Sequence, residues 1–444
     1  MTPLELGSIR QIRAELDSGA VTASDLLEEH LERVVAREPE VHALTTRTTD
    51  LARAQAADAD RRLRAGERTP LLGIPVVVKD LVDVAGVATT AGSHVLADNV
   101  PATSATVWKR LEVAGVVLIG KANTHEFAYG GTTEPTRNPA DVSRIVGGSS
   151  GGPAAALAAG YCLGAVASDT AGSIRIPANL CGVPGLKPTR GLVPTDGVIP
   201  LAPTLDVVGP MAARTADLDP LLRVMAADSS SPNASPTAAP RVGVVTPWGS
   251  QTDSVSEALA NAVKALQALG STLVSCELPG LGGSVGDNFT VIGFEANLYH
   301  QRWADQRDDY TPYVRDRLAQ AASITRQDRE AAVERAHDLE AQLDRLLDQV
   351  DVLLMPGVPM PASPAYDETV WIQGEPEDRD TALCRNTAFA NLTGHPALCV
   401  PAGFDHTTDV GLPVGVQLVA RHHDDLRLIA LGALMEEQLE SLVG

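Results

Sequence analysis

The sequence predicts an α/β protein. Residues 73–79 and 116–120 form short apolar runs bounded by Gly or Pro, without the polar alternation of half-exposed strands. Residues 103–114, between them, have a helical pattern, so the order predicts a β–α–β unit. The chain has 444 residues, 44% of them hydrophobic and 20% charged. That composition is typical of a soluble globular protein, and the length alone favours two or three domains.

The other elements follow from local patterns. Residues 4–65 have helical spacing, and the weakly polar run 154–167 is too short to span a bilayer and predicts a buried helix. Residues 229–240 are a Ser-, Pro- and Ala-rich stretch that predicts a surface loop. The remaining predictions are strands at 241–245, 350–355 and 415–419, helices at 254–269 and 424–439, and a charge-laced helical region at 313–350.

Charge and cysteine content restrict the partners and the compartment. Acidic residues outnumber basic ones by 56 to 35, giving a net charge of −21. Such a surface repels phosphate backbones, so we expect no nucleic-acid partner and favour a small neutral molecule. The five cysteines lack CxxC spacing, which is typical of buried thiols in a reducing compartment. No signal peptide is visible at the N-terminus, so we expect a cytoplasmic protein without a membrane partner.

The densest candidate motif is the glycine run 147–152, which contains Ser149 and Ser150. It matches G-x-S-x-G twice, but the segment before it is loop-like, whereas a nucleophile elbow follows a strand. It also lacks the lysine of a phosphate-binding loop. A flexible turn that caps a helix starting near Pro153 is the alternative interpretation.

Two further features favour catalysis. Ser173 ends the small-residue run 170–173, whose backbone amides can converge on an oxyanion, each worth on the order of 3 kcal/mol. Lys79 adjoins an apolar strand, and burial there would lower its pKa and leave a neutral amine able to accept a proton. The alternative is a strand-end lysine that reaches solvent or pairs with Asp80. None of the ten histidines lies in comparable surroundings.

Residues 147–188, GGSSGGPAAALAAGYCLGAVASDTAGSIRIPANLCGVPGLKP, closely resemble the amidase signature. The resemblance extends over nearly the whole chain, including residues 73–80, 120–127, 138–139 and 391–396. It implies that Ser173 is the nucleophile, Ser149 the bridging serine and Lys79 the base, with a cis Gly148–Ser149 bond and no cofactor or metal. It also implies an oxyanion hole from the amides of Thr170, Ala171, Gly172 and Ser173, supporting roles for Ser150, Asp169 and Arg175, and a substrate pocket near Phe127, Tyr129 and Gly148.

One position departs from the usual pattern of this family. Most members have glycine where this chain has Ala171, although the allophanate-hydrolase branch is similar to it in having alanine. If the position needs a positive φ, the Cβ of alanine costs roughly 1 kcal/mol. We expect activity to be retained in a narrower pocket.

The resemblance also implies the architecture and the class of substrate. It predicts one α/β/α domain over residues 1–444, with a large mixed sheet covered by helices on both faces. The expected activity is that of a stand-alone amidase or carbamate hydrolase (urethanase) that cleaves small neutral amides, anilides or carbamates. Oligomeric state stays open, although related enzymes are often homodimers.

Two alternatives remain. The A subunit of glutamyl-tRNA amidotransferase shares every catalytic residue. It typically has an arginine-rich and then tyrosine-rich stretch, whereas residues 294–300 and 310–315 here resemble those of stand-alone amidases. The strong negative charge also argues against a tRNA-handling assembly. A catalytically inactive binding module on the same fold would have lost Lys79, Ser149 or Ser173, and all three are present.

Overall fold

A mixed 11-stranded sheet forms the centre of the structure, a computed structural model that describes residues 7–226, 239–246 and 249–443. This confirms the predicted α/β fold with a large mixed sheet. Of the predicted loop at 229–240, all but Ala239 and Pro240 lies outside the described residues.

The strands and helices alternate along much of the chain. The strands are β1 (Leu44–Arg47), β2 (Pro75–Lys79), β3 (Val117–Ala122), β4 (Gly164–Asp169), β5 (Gly185–Lys187), β6 (Val207–Ala212), β7 (Arg241–Val245), β8 (Thr272–Cys276), β9 (Val352–Pro356), β10 (Thr369–Ile372), β11 (Glu375–Asp378), β12 (Ala397–Asp405) and β13 (Leu412–Val419). The helices are α1 (Ile9–Ser18), α2 (Ala23–Val41), α3 (Thr49–Arg64), α4 (Thr106–Ala114), α5 (Gly151–Ala158), α6 (Arg175–Cys181), α7 (Leu218–Ala226), α8 (Asp253–Ala268), α9 (Ser284–His300), α10 (Pro312–Ala321), α11 (Arg326–Leu347), α12 (Arg379–Cys384), α13 (Ala388–Thr393) and α14 (Asp425–Val443).

The sheet has the strand order β1-β3-β2-β4-β6-β5-β12-β13-β9-β7-β8, and β10 and β11 form a separate hairpin. Strands β3, β2 and β4 are parallel, as are β9, β7 and β8, whereas the pairings between these two groups are antiparallel. Every residue of β2, β3, β4 and β13 is buried. Because successive side chains point to opposite faces, both faces of these strands are covered.

The predicted β–α–β unit is present: β2 and β3 are parallel, with α4 between them. Three other expectations need correction. The region 4–65 is not one helical stretch, because β1 interrupts it and pairs with β3 at the sheet edge. The run 154–167 is half helix and half strand, since α5 ends before Gly160, which has φ 78°, and β4 follows. The region 313–350 is two helices, because a capping box at Thr325 starts α11 anew.

This topology places the glycine run beside two strand ends. Lys79 is the last residue of β2 and Asp169 the last of β4, and the two strands are parallel neighbours. Carboxyl ends of parallel strands lie at the same sheet edge, where loops form ligand sites. Within the part of the chain that is described, no helix has the length and apolarity needed to cross a bilayer.

Candidate active site

Lys79 lies at the centre of a cluster of serine hydroxyls. Its side chain is fully buried, and Nζ lies 2.7 Å from Ser149 Oγ, 2.8 Å from Ser150 Oγ and 2.9 Å from Ser168 Oγ. The Ser150 hydroxyl donates to the Ser168 carbonyl at 3.0 Å, so its oxygen is left to accept from Lys79. The peptide bond between Gly148 and Ser149 is cis.

Burial determines the charge state of this amine. Desolvation lowers the pKa of Lys79 to about 7, against the opposing attraction of Asp169 and Asp206. A substantial fraction of the amine is therefore neutral near pH 7. The alternatives of a solvent-exposed lysine or an Asp80 pair do not describe the structure, because Asp80 is paired with Lys121 at 3.3 Å.

Ser173 lies in the turn between β4 and α6, and this turn contacts the glycine run. The backbone amide of Ser150 donates to the carbonyl of Ser173 at 3.2 Å, so the two serine-bearing loops are joined directly. Ser173 is 7% exposed and lines a cleft, whereas Ser149 is completely buried. The structure thus joins Lys79 to Ser149 by a side-chain hydrogen bond and holds the Ser173 turn against the same glycine run, with Ser173 lining the cleft.

Asp169 organises the turn that contains Ser173. Its carboxylate accepts from the amides of Gly172 at 2.9 Å and Ile174 at 3.0 Å, and from Arg175 Nε and Nη2 at 3.0 and 2.8 Å. Burial alone would raise the pKa of Asp169, but the Arg175 guanidinium, the charge of Lys187 and the Ile174 amide together outweigh it, and the pKa falls to about 2. The carboxylate therefore stays ionised and holds the turn in shape.

Residues far along the chain complete this support. The guanidinium of Arg175 donates to the Thr387 carbonyl at 2.8 Å, to Gln417 Oε1 at 2.7 Å and to Asn391 Oδ1 at 2.7 Å. Asn391 Nδ2 in turn donates to the Asp169 carbonyl at 2.9 Å. Both members of the Asp169–Arg175 pair are fully buried, and their hydrogen bonds compensate for the loss of hydration.

The four amides expected to form the oxyanion hole differ in whether they already donate a hydrogen bond within the protein. The Gly172 amide is already bonded to Asp169. Within the described ranges, the amides of Thr170, Ala171 and Ser173 donate no hydrogen bond to the protein. Three donors therefore remain free for an oxyanion.

The strain considered for Ala171 is absent. Positive φ occurs at Gly172 instead, where φ is 132°, and Ala171 is not among the residues with positive φ. A Cβ on Gly172 would lie 2.2 Å from Thr387 Oγ1, so the close approach requires glycine there. Ala171 itself lines the cleft, so its methyl group occupies space near the reacting centre.

A cleft of about 560 Å³, counting its open mouth, leads to Ser173. Tyr129 and Gly148 line it as expected, but Phe127 does not face it. Phe127 is fully buried and packs against the rings of His300, Trp303 and Tyr310, behind the wall. Apolar side chains form much of the remaining lining, namely Ala128, Ile176, Leu201, Phe289 and Ile292.

The cleft also contains a charged group that the sequence did not reveal. Arg317 Nη2 donates to the Tyr313 hydroxyl at 2.9 Å and lies 3.7 Å from Asp380 Oδ2. The Tyr313 hydroxyl donates to the same carboxylate. All three residues line the cleft, so a positive and a negative group border the same space.

The chain is similar to known proteins over nearly its whole length. The family model described as Amidase matches residues 25–429. The A subunit of glutamyl-tRNA(Gln) amidotransferase from Prochlorococcus marinus (strain MIT 9313) is 34% identical over 481 residues, covering 97% of this chain and 97% of its own length. A crystal structure of an amidase matches with a TM-score of 0.91 and 33% identity, over 97% of this chain and 100% of that chain. A structure of a vestigial protein complex, from work on the evolutionary origins of an s-triazine catabolic enzyme, matches with a TM-score of 0.90 and 31% identity, over 97% of this chain and 98% of that one.

Proposed function

Because this chain belongs to the Amidase family and is an amidase acting on C–N bonds, we propose that it forms an acyl-enzyme on Ser173, with Ser149 as the bridging serine and Lys79 as the base. The observation that supports this most directly is the fully buried Lys79 amine, 2.7 Å from Ser149 Oγ and with a pKa lowered to about 7. Only a neutral amine has a lone pair to accept a proton.

The hydrogen bonds around Lys79 orient that lone pair. A neutral amine has two N–H groups, and Ser150 and Ser168 offer one acceptor oxygen each, at 2.8 and 2.9 Å. The lone pair is then directed at the hydroxyl proton of Ser149. Both neighbouring serines thereby act as positioning residues for the base.

The proposed reaction has two halves. Lys79 takes the proton of Ser149, Ser149 takes that of Ser173, and Ser173 Oγ attacks the amide carbonyl. The free amides of Thr170, Ala171 and Ser173 stabilise the oxyanion, each by on the order of 3 kcal/mol. The relay returns the proton to the leaving nitrogen as the C–N bond breaks, and water then hydrolyses the acyl-enzyme along the same relay.

Labelling with a fluorophosphonate tests these roles. We expect wild-type protein to be modified at Ser173, Ser173→Ala to lose labelling and turnover, and Ser149→Ala to retain slow acylation. Ser284→Ala is the control, because this buried hydroxyl bonds the Leu281 carbonyl at 2.7 Å rather than Lys79. Labelling of Ser173→Ala at the wild-type rate would refute the nucleophile assignment, and an unreactive wild type would favour the inactive binding module.

For the substrate, the first candidate is a small neutral amide, anilide or carbamate. The apolar lining of the cleft supports it, because Phe289 and Ile292 of α9 border the same space as Ile176, Leu201 and Ser173. Burial of an aryl or alkyl group there would be favourable by roughly 25 cal/mol per Å².

The second candidate is the glutaminase reaction of an amidotransferase A subunit, which converts glutamine and water to glutamate and ammonia. The 34% identity to such a protein over nearly the full length supports this candidate more than the first. The cleft supports it too: glutamine has a carboxamide at one end and a carboxylate and an ammonium at the other. Arg317 and Asp380 supply the complementary charges.

A substrate panel separates the candidates. Purified full-length protein is assayed for ammonia release from L-glutamine and for aniline release from acetanilide and ethyl N-phenylcarbamate. If glutamine is the substrate, Arg317→Gln raises its KM about tenfold or more, whereas Arg315→Gln, on the same helix and 42% exposed, leaves it unchanged. Turnover of the anilide or carbamate, with a KM that Arg317→Gln leaves unchanged and without ammonia release from glutamine, supports the first candidate and excludes the second.

We also propose that residues 1–444 act as one domain, since strands from both halves of the chain join the same sheet. The cytoplasmic location and the homodimer stay predictions.

A further inference from the structure

Two histidines and a carboxylate lie together away from the cleft. Asp344 is on α11, His395 lies in the turn between α13 and β12, and His422 lies between β13 and α14. Their candidate ligand atoms are all within 4.8 Å of one another, and His395 Nε2 lies 3.1 Å from Asp344 Oδ1. The two imidazole rings are 4.1 Å apart between centroids.

A second carboxylate borders the same space. Glu340 precedes Asp344 by one helical turn, so both side chains lie on one face of α11. Glu340 Oε1 is 3.5 Å from His422 Nε2. The cluster of Asp344, His395 and His422 therefore offers two imidazoles and one carboxylate from three separate segments, and Glu340 lies beside His422.

Two nitrogens of this cluster have unused bonding capacity. His395 Nδ1 and His422 Nε2 are buried and have no hydrogen-bond partner among the described residues. The side chain of His395 is 0% exposed, so bulk solvent does not supply a hydrogen-bond partner for its Nδ1 atom. With its ring proton on Nδ1, His395 presents the Nε2 lone pair, 3.1 Å from Asp344 Oδ1, to a metal.

The donor set and spacing suit zinc. Zn²⁺ is bound by imidazole nitrogen and carboxylate oxygen in tetrahedral geometry, with bonds near 2.0–2.2 Å, so neighbouring ligand atoms lie about 3.3 Å apart. Separations of 3.1 and 3.5 Å are already present between His395 and Asp344 and between His422 and Glu340. Asp344 is 55% exposed and gives an ion a path from solvent.

We propose that His395, His422 and Asp344 bind one Zn²⁺ ion, with the fourth position taken by water. The ion joins α11 to the turn that follows α13. Asn391 of α13 bonds Arg175 and the Asp169 carbonyl. The zinc ion would therefore stabilise the residues that hold the Ser173 turn, without contacting the substrate.

The surrounding charges allow a cation here. Basic groups near the cluster include Lys187, Arg190 and His423. Lys187 is fully buried, and desolvation lowers its pKa to about 7, so much of it is neutral at physiological pH. Asp344 supplies one negative charge to the ion, and Glu340 adds a second negative charge beside His422.

Metal binding by untagged full-length protein tests the proposal. After treatment with EDTA and buffer exchange, Co²⁺ serves as the spectroscopic probe, and Zn²⁺ affinity is measured by competition with a chromophoric chelator. We expect one equivalent of metal, visible d–d absorption typical of tetrahedral Co²⁺, and dissociation constants in or below the micromolar range for Zn²⁺.

Matched variants identify the ligands. His422→Gln and Asp344→Asn should each weaken Zn²⁺ binding about tenfold or more. The neighbours His423→Gln and Asp348→Asn should bind as wild type, because neither residue belongs to the cluster. Circular dichroism of the metal-free variants checks that each is folded. Absence of stoichiometric binding at micromolar zinc, or equal binding by all four variants, would overturn the proposal.

Discussion

Replacement of Ser168 by alanine tests how Lys79 works as a base. Ser168 Oγ is 2.9 Å from Lys79 Nζ and accepts one of its N–H groups. The neutral amine of the resting enzyme gains a charge when it takes the relayed proton, and hydrogen bonds to a charged group contribute about 1.5–3 kcal/mol against about 0.5–1.5 for neutral pairs. Ser168→Ala therefore disfavours the protonated amine by roughly 1 kcal/mol more than the neutral one.

That difference has two observable consequences. The plateau of kcat falls about five- to tenfold, since 1.36 kcal/mol corresponds to a factor of ten in rate. The acidic limb of the pH–rate profile lies near pH 7 for wild type. It moves to lower pH by somewhat less than one unit, because disfavouring the protonated amine lowers the pKa of Lys79.

The assay is the pH dependence of kcat for the best substrate of the panel, with Ser284→Ala as the control. A structural defect would lower the plateau and leave the limb in place. An unchanged profile would refute both the acceptor role of Ser168 and the use of Lys79 as the titrating base.

Three further predictions follow from the same site. Lys79→Ala removes the internal base, so activity should keep rising with pH above about 7, where the wild type levels off because its amine is already neutral; a plateau in the variant at the wild-type pH would contradict this. Gly172→Ala places a Cβ 2.2 Å from Thr387 Oγ1 at a φ of 132° and should destabilise the protein by about 2–5 kcal/mol in urea unfolding, whereas Gly283→Ala, with open space around it, should have little effect. Asp169→Asn leaves Arg175 buried without its counter-ion and should cost about 3–5 kcal/mol, against less than about 1 kcal/mol for Asp287→Asn, whose partner Arg335 is exposed; equal losses in the two variants would contradict the reasoning.

Local sequence patterns were sufficient to predict the strands and helices whose residues have a strong preference for that structure. The apolar β-branched run of β2 and the helical spacing of α4 predicted the parallel β2–β3 pair correctly. Strand β4 was missed because its residues, Gly164–Asp169, are small and have no strong strand preference. Its conformation comes from pairing with β2 and β6 on either side.

The same limit applies to the candidate site. Lys79, Ser149 and Ser173 stand out by residue type and by their glycine-rich neighbours. Ser168 became recognisable only when β4 was placed alongside β2, which brings its hydroxyl to Lys79. A serine one residue before Asp169 was the available signal, but spacing alone gave it no partner.

The charged residues that line the cleft could not be predicted from the sequence. Tyr313 and Arg317 are one turn apart on α10, whereas Asp380 comes from α12. Only the packed structure shows that these segments meet. The composition favours a neutral substrate, but a net charge of −21 describes the whole chain. It gives no information about a single arginine in the cleft.

The reach of Arg175 along the chain has a consequence for biosynthesis. Its guanidinium bonds Gln417 of β13, a separation of 242 positions. A growing polypeptide lacks that acceptor until Gln417 itself has been synthesised and has left the ribosome. Translation products that stop before Gln417 should therefore be inert towards amides in the cell.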